Sequence, residues 1–270
     1  MTRARSFKVV RRAGEASFVE DRVAVEEPLE IRVSGETLAM TMRTPGHDRE
    51  LALGFLFAEG LITSAADVGA VAHCGRPGDE GWQNTIEVTP APGVVIDPEA
   101  QGLTRRGTLT SAACGVCGRR SIDDLLARCV TPVTPRAVSA RVITAAVASL
   151  RDGQPLFRET GGSHGAALFT LAGAHVATYE DVGRHNAVDK LVGARLIAGG
   201  GPLSEHLLVV SGRASFEIVQ KARAAGVPVV ASVSAPSTLA VELARRAGLV
   251  LAGFVRGESL TVYAGEERVG

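Results

Sequence analysis

The sequence predicts an α/β protein, with a larger C-terminal domain over residues 136–270 and a smaller, β-rich N-terminal domain over 1–135. Three observations carry this expectation. Near-continuous Val, Leu and Ala runs at 207–210, 227–233 and 249–255 alternate with helical stretches, as strands covered on both faces of a parallel or mixed sheet do. Strict apolar alternation at 29–43 marks a half-buried hairpin. The composition, 46% hydrophobic and 21% charged over 270 residues, suffices for a sizeable core and excludes a disordered or repeat-array chain.

In the N-terminal part, Leu29, Ile31, Val33, Leu38, Met40 and Met42 flank Ser34-Gly35-Glu36, a turn between two strands. A helix is expected from Arg49 to Glu59, stopped by Gly60. Strands follow at Val68–Cys74 and Thr85–Thr89, around a polar loop carrying Trp82. Residues 90–113, rich in Pro, Gly, Thr, Ser and Ala, form an expected flexible connection into Cys114. In the C-terminal part, a helix begins near Ser139, strands are expected at Gly165–Leu171 and His175–Tyr179, and a helix at Asn186–Ile197. Three strand-to-helix units then run to Val255.

Charge and apolar content narrow the partners. Lys plus Arg and Asp plus Glu both total 29, so no broad basic face advertises nucleic-acid or acidic-membrane binding. Aromatic residues make up only 4%, which argues against a base-stacking surface. No segment approaches the roughly 20 apolar residues needed to cross a bilayer, and the basic start lacks a signal-like apolar run. A cytoplasmic, soluble protein is expected.

Three groups of residues can carry chemistry. The first is Cys114-Gly115-Val116-Cys117, followed by Arg119, Arg120 and a Ser121-x-x-Asp124 capping pattern expected to start a helix to about Arg128. A helix N-terminus and two arginines favour the thiolate, the nucleophilic form of sulfur. Four readings stand side by side: structural zinc, for which no second ligand pair follows; a thioredoxin-like switch; inert thiols; and a sulfur-carrying thiol.

The second group is Thr160-Gly161-Gly162-Ser163-His164, with Glu180-Asp181-Val182-Gly183-Arg184-His185-Asn186 after the next strand. Glycines admit a ligand to the backbone, and His164, Asp181, Arg184 and His185 offer directional hydrogen bonds. The alternative is a set of turns and caps, with Asp181 or Asn186 capping the helix and His185 a satisfied surface residue. The third group is three strand exits, Ser211-Gly212-Arg213, Ser234 to Thr238, and Phe254-Val255-Arg256-Gly257. Ligands bind at the C-terminal edges of open α/β sheets, and helix N-termini there receive anions, so a phosphate-bearing ligand fits. No Walker or G-x-G-x-x-G pattern is present.

These segments, C-G-V-C-G, T-G-G-S-H-G-A-A, E-D-V-G-R-H-N-A-V-D-K-L, S-G-R-A-S-F-E-I-V-Q-K and G-F-V-R-G, closely resemble the FdhD family of formate dehydrogenase accessory sulfurtransferases over about residues 25–265. The resemblance implies a persulfide carrier that takes sulfur from a cysteine desulfurase. It then delivers that sulfur to the molybdenum of a bis(molybdopterin guanine dinucleotide) cofactor before insertion into formate dehydrogenase. It puts the persulfide on Cys114 and the cofactor segment on Phe254, Val255, Arg256, Gly257, Glu258 and Ser259. Glu258 and Ser259 stand where the family often ends on a basic residue, leaving Arg256 as the segment's only cation. The resemblance also implies a homodimer and a cytidine-deaminase-like larger domain. Deaminase chemistry does not survive: His164 is followed by Gly165 and Ala166 rather than x-Glu, and the C-x-x-C lies upstream, so no zinc is expected.

The residues themselves favour Cys117 as the more acidic thiol, being nearer the expected helix; both assignments hold if Cys117 assists transfer. Arg213, Arg256 and the helix N-termini are expected to hold the dinucleotide phosphates, and Ser211, Ser234, His164, Asp181, Arg184 and His185 to line the site. A non-covalent cofactor chaperone and a thiol-disulfide oxidoreductase are the competing functions.

Overall fold

The computed structural model describes residues 2–13, 15–76, 78–79, 81–97 and 135–270. Cys114, Cys117, the helix expected from Ser121 and most of the 90–113 connection lie outside the described residues. The protein is a mixed α/β structure built on a two-stranded, a four-stranded and a six-stranded sheet.

Two ten-residue strands, β1 (Ala4–Ala13) and β2 (Glu15–Ala24), pair antiparallel into a ribbon that the sequence analysis did not anticipate. Its apolar side chains do not sort onto one buried face: Phe7, Val10, Phe18 and Val23 are all exposed. The four-stranded sheet has the order β4-β3-β6-β5, from β3 (Glu27–Val33), β4 (Glu36–Arg43), β5 (Val68–His73) and β6 (Thr85–Pro90). Ser34 and Gly35 both take positive φ, 52° and 85°, the two-residue turn whose twist suits a hairpin. Helix α1 (Asp48–Ala58) buries Leu51, Phe55 and Leu56 in a core shared with Leu29, Ile31, Ile86 and Val88.

The six-stranded sheet has the order β12-β11-β10-β9-β7-β8. Its strands are β7 (His164–Thr170), β8 (His175–Asp181), β9 (His206–Val210), β10 (Val229–Ser232), β11 (Val250–Arg256) and β12 (Ser259–Ala264). The three apolar runs foreseen as covered strands form its parallel centre, β9-β10-β11, and the flanking strands are antiparallel. Strand alternation splits the core in two. Ala166, Leu168, Leu208, Val210, Val230 and Leu251 face α4 (Arg184–Ile197), α5 (Phe216–Ala224) and α6 (Thr238–Ala247). Ala167, Phe169, Leu207, Val209, Val229 and Ala252 face α2 (Ala140–Ser149). The helix expected from near Ser139 is α2, and Ser139 caps it, accepting from Arg141 N. A short helix, α3 (Pro155–Thr160), carries the chain from α2 to β7.

The four- and six-stranded sheets meet where α1 crosses α4. Gly54 and Gly193 sit at the crossing, and a Cβ on either would overlap the other helix's backbone carbonyl, so the helices pack at main-chain contact. Among the described residues no helix is long and apolar enough to cross a membrane.

Candidate functional site

A cavity of about 860 Å³ opens between the α2–α3 segment and the ends of the six-stranded sheet. One wall is Thr144, Val147, Arg151, Gln154 and Phe157; the other is Gly161–His164, Ser211, Val233 and Val255–Gly257. The fold thus brings together His164, Ser211, Val255, Arg256 and Gly257, five residues singled out from the sequence and up to 93 positions apart.

The sheet-side wall is held by the backbone. Ser211 and Gly165 clamp β9 to β7: Gly165 N–H donates to Ser211 Oγ at 2.9 Å, and Ser211 N–H to the Gly165 carbonyl at 3.0 Å. The Ser232 hydroxyl, buried at the end of β10, donates to the Gly212 carbonyl at 2.6 Å and lies 3.0 Å from the Ser234 carbonyl, tying adjacent strand exits together. Ser234 accepts in turn from Phe254 N–H at 3.2 Å. At this point β11 bulges, and Phe254 adopts φ 52°, left-handed backbone that a bulky side chain rarely takes. The bulge leaves Phe254 52% exposed while Val255 stays buried. Glu258 falls in the β11–β12 turn and Ser259 opens β12, both exposed and outside the cavity lining.

The other wall is set by Glu180. This buried carboxylate accepts from Leu156 N (2.9 Å), Phe157 N (2.8 Å) and Ser163 Oγ (2.7 Å), so it caps α3 and ties it to the Gly161–His164 turn. Arg151 and Arg256, both exposed, supply cations to the lining. His164, half-buried, borders Gly212 together with Arg184, whose Nε is buried without a partner. Burial first, then the charges of Arg184 and His185, lower the His164 pKa from the usual imidazole value, with Asp181 opposing.

The rest of the 180–190 block turns inward. Asp181 is fully buried, 2.7 Å from Lys190 Nζ, and accepts from Thr44 N, Gly183 N and Asn186 Nδ2. Lys190 also donates to the Thr44 carbonyl, and Asn186 to the Met42 carbonyl. His185, also buried, pairs with Glu217 at 2.8 Å and Ser215 at 3.1 Å. Asp181 and His185 therefore hold the junction between α4, the end of β4 and α5, and do not line the cavity; nor does Arg213, exposed on the β9–α5 turn, or Ser234, whose carbonyl anchors the bulge. The sequence reading had not singled out Thr144, Arg151, Gln154 and Phe157. Their signal was position: the polar run Arg151-Asp152-Gly153-Gln154 stands directly before the glycine-rich turn.

A profile of the FdhD/NarQ family matches residues 24–270. The chain is 59% identical over 259 residues to the sulfur carrier protein FdhD of Anaeromyxobacter sp. strain K, covering 93% of this chain and 90% of that one. It is 48% identical over 268 residues to the sulfur carrier protein FdhD of Streptomyces avermitilis, covering 97% and 94%. Among solved structures, a formate dehydrogenase accessory protein from Desulfotalea psychrophila superposes with a TM-score of 0.77 at 25% identity, covering 100% of both chains.

Proposed function

The chain belongs to the FdhD/NarQ family, and from that premise we propose that it is a sulfur carrier serving formate dehydrogenase. Cys114 thiolate attacks the outer sulfur of a persulfide on a cysteine desulfurase; the donor's S–S bond breaks, the donor leaves as thiolate, and Cys114 holds the persulfide. The cargo that receives the sulfur is the molybdenum of bis(molybdopterin guanine dinucleotide), bound in the cavity before formate dehydrogenase takes it up. Attack of Cys117 on the inner sulfur of Cys114 would release the outer one with its electron pair, leaving a disulfide that a cellular dithiol must reduce.

One observation carries the placement of the cargo: His164, Ser211, Val255, Arg256 and Gly257 line one cavity of about 860 Å³, with Arg151 also in its lining. That volume lies within the range of small-molecule sites, and guanidiniums in the lining suit phosphates. The six-stranded sheet with helices on both faces supports a cytidine-deaminase-like scaffold stripped of its zinc chemistry. Cytoplasmic location and a homodimer complete the proposal.

Intact-mass measurement after incubation with a cysteine desulfurase, pyridoxal phosphate and cysteine tests the chemistry. Wild type is expected to gain one reducible sulfur and Cys114→Ala none. No gain in wild type beside an active desulfurase would replace the carrier with a non-covalent cofactor chaperone.

A further inference from the structure

Helix α3 carries part of the cavity lining, yet its own sequence does not hold it in place. It has six residues, too few to persist as a helix by themselves. Its N-cap residue, Gln154, makes no side-chain cap, and its first position is Pro155, which has no N–H. The next two donors of the first turn, Leu156 N–H and Phe157 N–H, both go to the carboxylate of Glu180, 24 and 23 positions further along the chain. The same carboxylate accepts from Ser163 Oγ, in the Gly161–His164 turn that lines the cavity beside it. Glu180 is itself fixed on β8, in register with Gly165 of the neighbouring β7.

Other ties to α3 are weaker or more local. Arg22 of the β1–β2 ribbon pairs with Glu159 at 2.6 Å, but both side chains are exposed, and such pairs contribute little. Arg158 donates to the Arg151 and Asp152 carbonyls, which joins α3 only to the residues just before it. The Glu180 carboxylate is buried, and its removal would leave a buried N–H and a buried hydroxyl without their acceptor. We infer that Glu180 is a positioning residue of the cavity, fixing the spacing between the Arg151–Phe157 stretch and the Gly161–His164 turn before cargo enters. The inference rests on the proposed cargo and deepens it. Glu180 stands behind the lining rather than in it, and acts through Phe157 and Ser163. A lining already in place spares the ordering that a loose one must undergo on binding.

The test titrates the full chain with GDP, a probe for the nucleotide end of the proposed cargo, well below the thermal midpoint of each variant. Glu180→Gln keeps the size of the side chain and turns an amide donor toward three donors; it is expected to weaken GDP about tenfold. Ser163→Thr and Ser163→Val share one shape and differ in the hydroxyl, so Thr is expected to bind about threefold tighter than Val while both keep α3 capped. Arg22→Ala is expected to bind as wild type. A lower midpoint with unchanged GDP affinity in Glu180→Gln would make the carboxylate purely structural and overturn the inference, as would equal affinities of the two Ser163 variants. Should Glu180→Gln fail to fold, the Ser163 pair still decides. If GDP does not bind a wild-type protein that loads sulfur on Cys114, the inference and the cavity assignment fall together while the carrier chemistry stands; absence of sulfur loading is the separate failure of the proposed function.

Discussion

The α1–α4 junction and the cavity are both polar, both partly built from residues 163–190, and opposite in what they do with polar groups. At the junction Asp181 has four donors around it, and Lys190 and Asn186 reach back to carbonyls of Met42 and Thr44. At the cavity Gln154 Nε2 is buried with nothing to bond, and Arg151 and Arg256 stand exposed in the lining. Asp181 and His164, from the two motifs read together, therefore sit in different places, one inside the junction and one in the cavity lining. The difference teaches that motif membership does not place a polar residue at the cavity: the Gly161–His164 turn lines it, whereas Asp181 and Lys190 turn inward to satisfy each other.

The comparison breaks most visibly at Lys190. Burial pulls its ammonium below the ordinary lysine range against the opposing pull of Asp181, and Lys190→Met leaves that carboxylate buried without its counter-charge. A loss of about 3–5 kcal/mol in urea unfolding is expected. A loss under about 1 kcal/mol would mean that the three remaining donors already satisfy Asp181 and that the pair contributes little to the junction.

Phe254→Gly should move stability the other way. The αL backbone costs a residue with a Cβ about 1–2 kcal/mol, and the exposed ring recovers little of it by packing. Glycine is expected to raise stability by about 1 kcal/mol by the same unfolding measurement. A decrease would show that the ring's contacts hold the bulge, and would remove Phe254 from the list of positions where the fold stores strain beside its cavity.

Much of this architecture was legible because period and turn chemistry are local. The Ser34-Gly35 hairpin, α1 before Gly60, the helix from near Ser139 and the three covered strands all lie where alternation, glycine and apolar runs put them. Three elements were not. The β1–β2 ribbon buries no face, so alternation had no core to report. Helix α3 is six residues long, below the span in which helical period can be counted, and β12 is a half-exposed edge strand. The cavity was half legible: its glycines, His164 and Arg256 belong to short motifs, whereas Gln154 looks like any loop glutamine until its burial is known. That Asp181 and His185 turn inward to the junction was hidden for a related reason. Thr44 and Asp181 are 137 residues apart, Thr41 and Asn186 145, and no local pattern declares such partners.

The smallest expected effect is the titration of His164, and it tests the cavity's charge directly. Burial is the main cause of its lowered pKa, Arg184 and His185 add to it, and Asp181 opposes. A histidine whose folded value lies below its ordinary 6.5 contributes stability that is complete above 6.5 and is lost as pH falls through the folded value, because the unfolded chain binds the proton first. The ring's midpoint, followed by NMR, should therefore lie below 6.5, and Arg184→Gln should raise it by removing a guanidinium that opposes protonation of the ring. A phosphate-bearing ligand between Arg151 and Arg256 should raise it too, by bringing negative charge to the same space. An Arg184→Gln midpoint equal to wild type, with the ligand still shifting it, would show that burial alone sets the free value and that Arg184 faces the cargo rather than the ring.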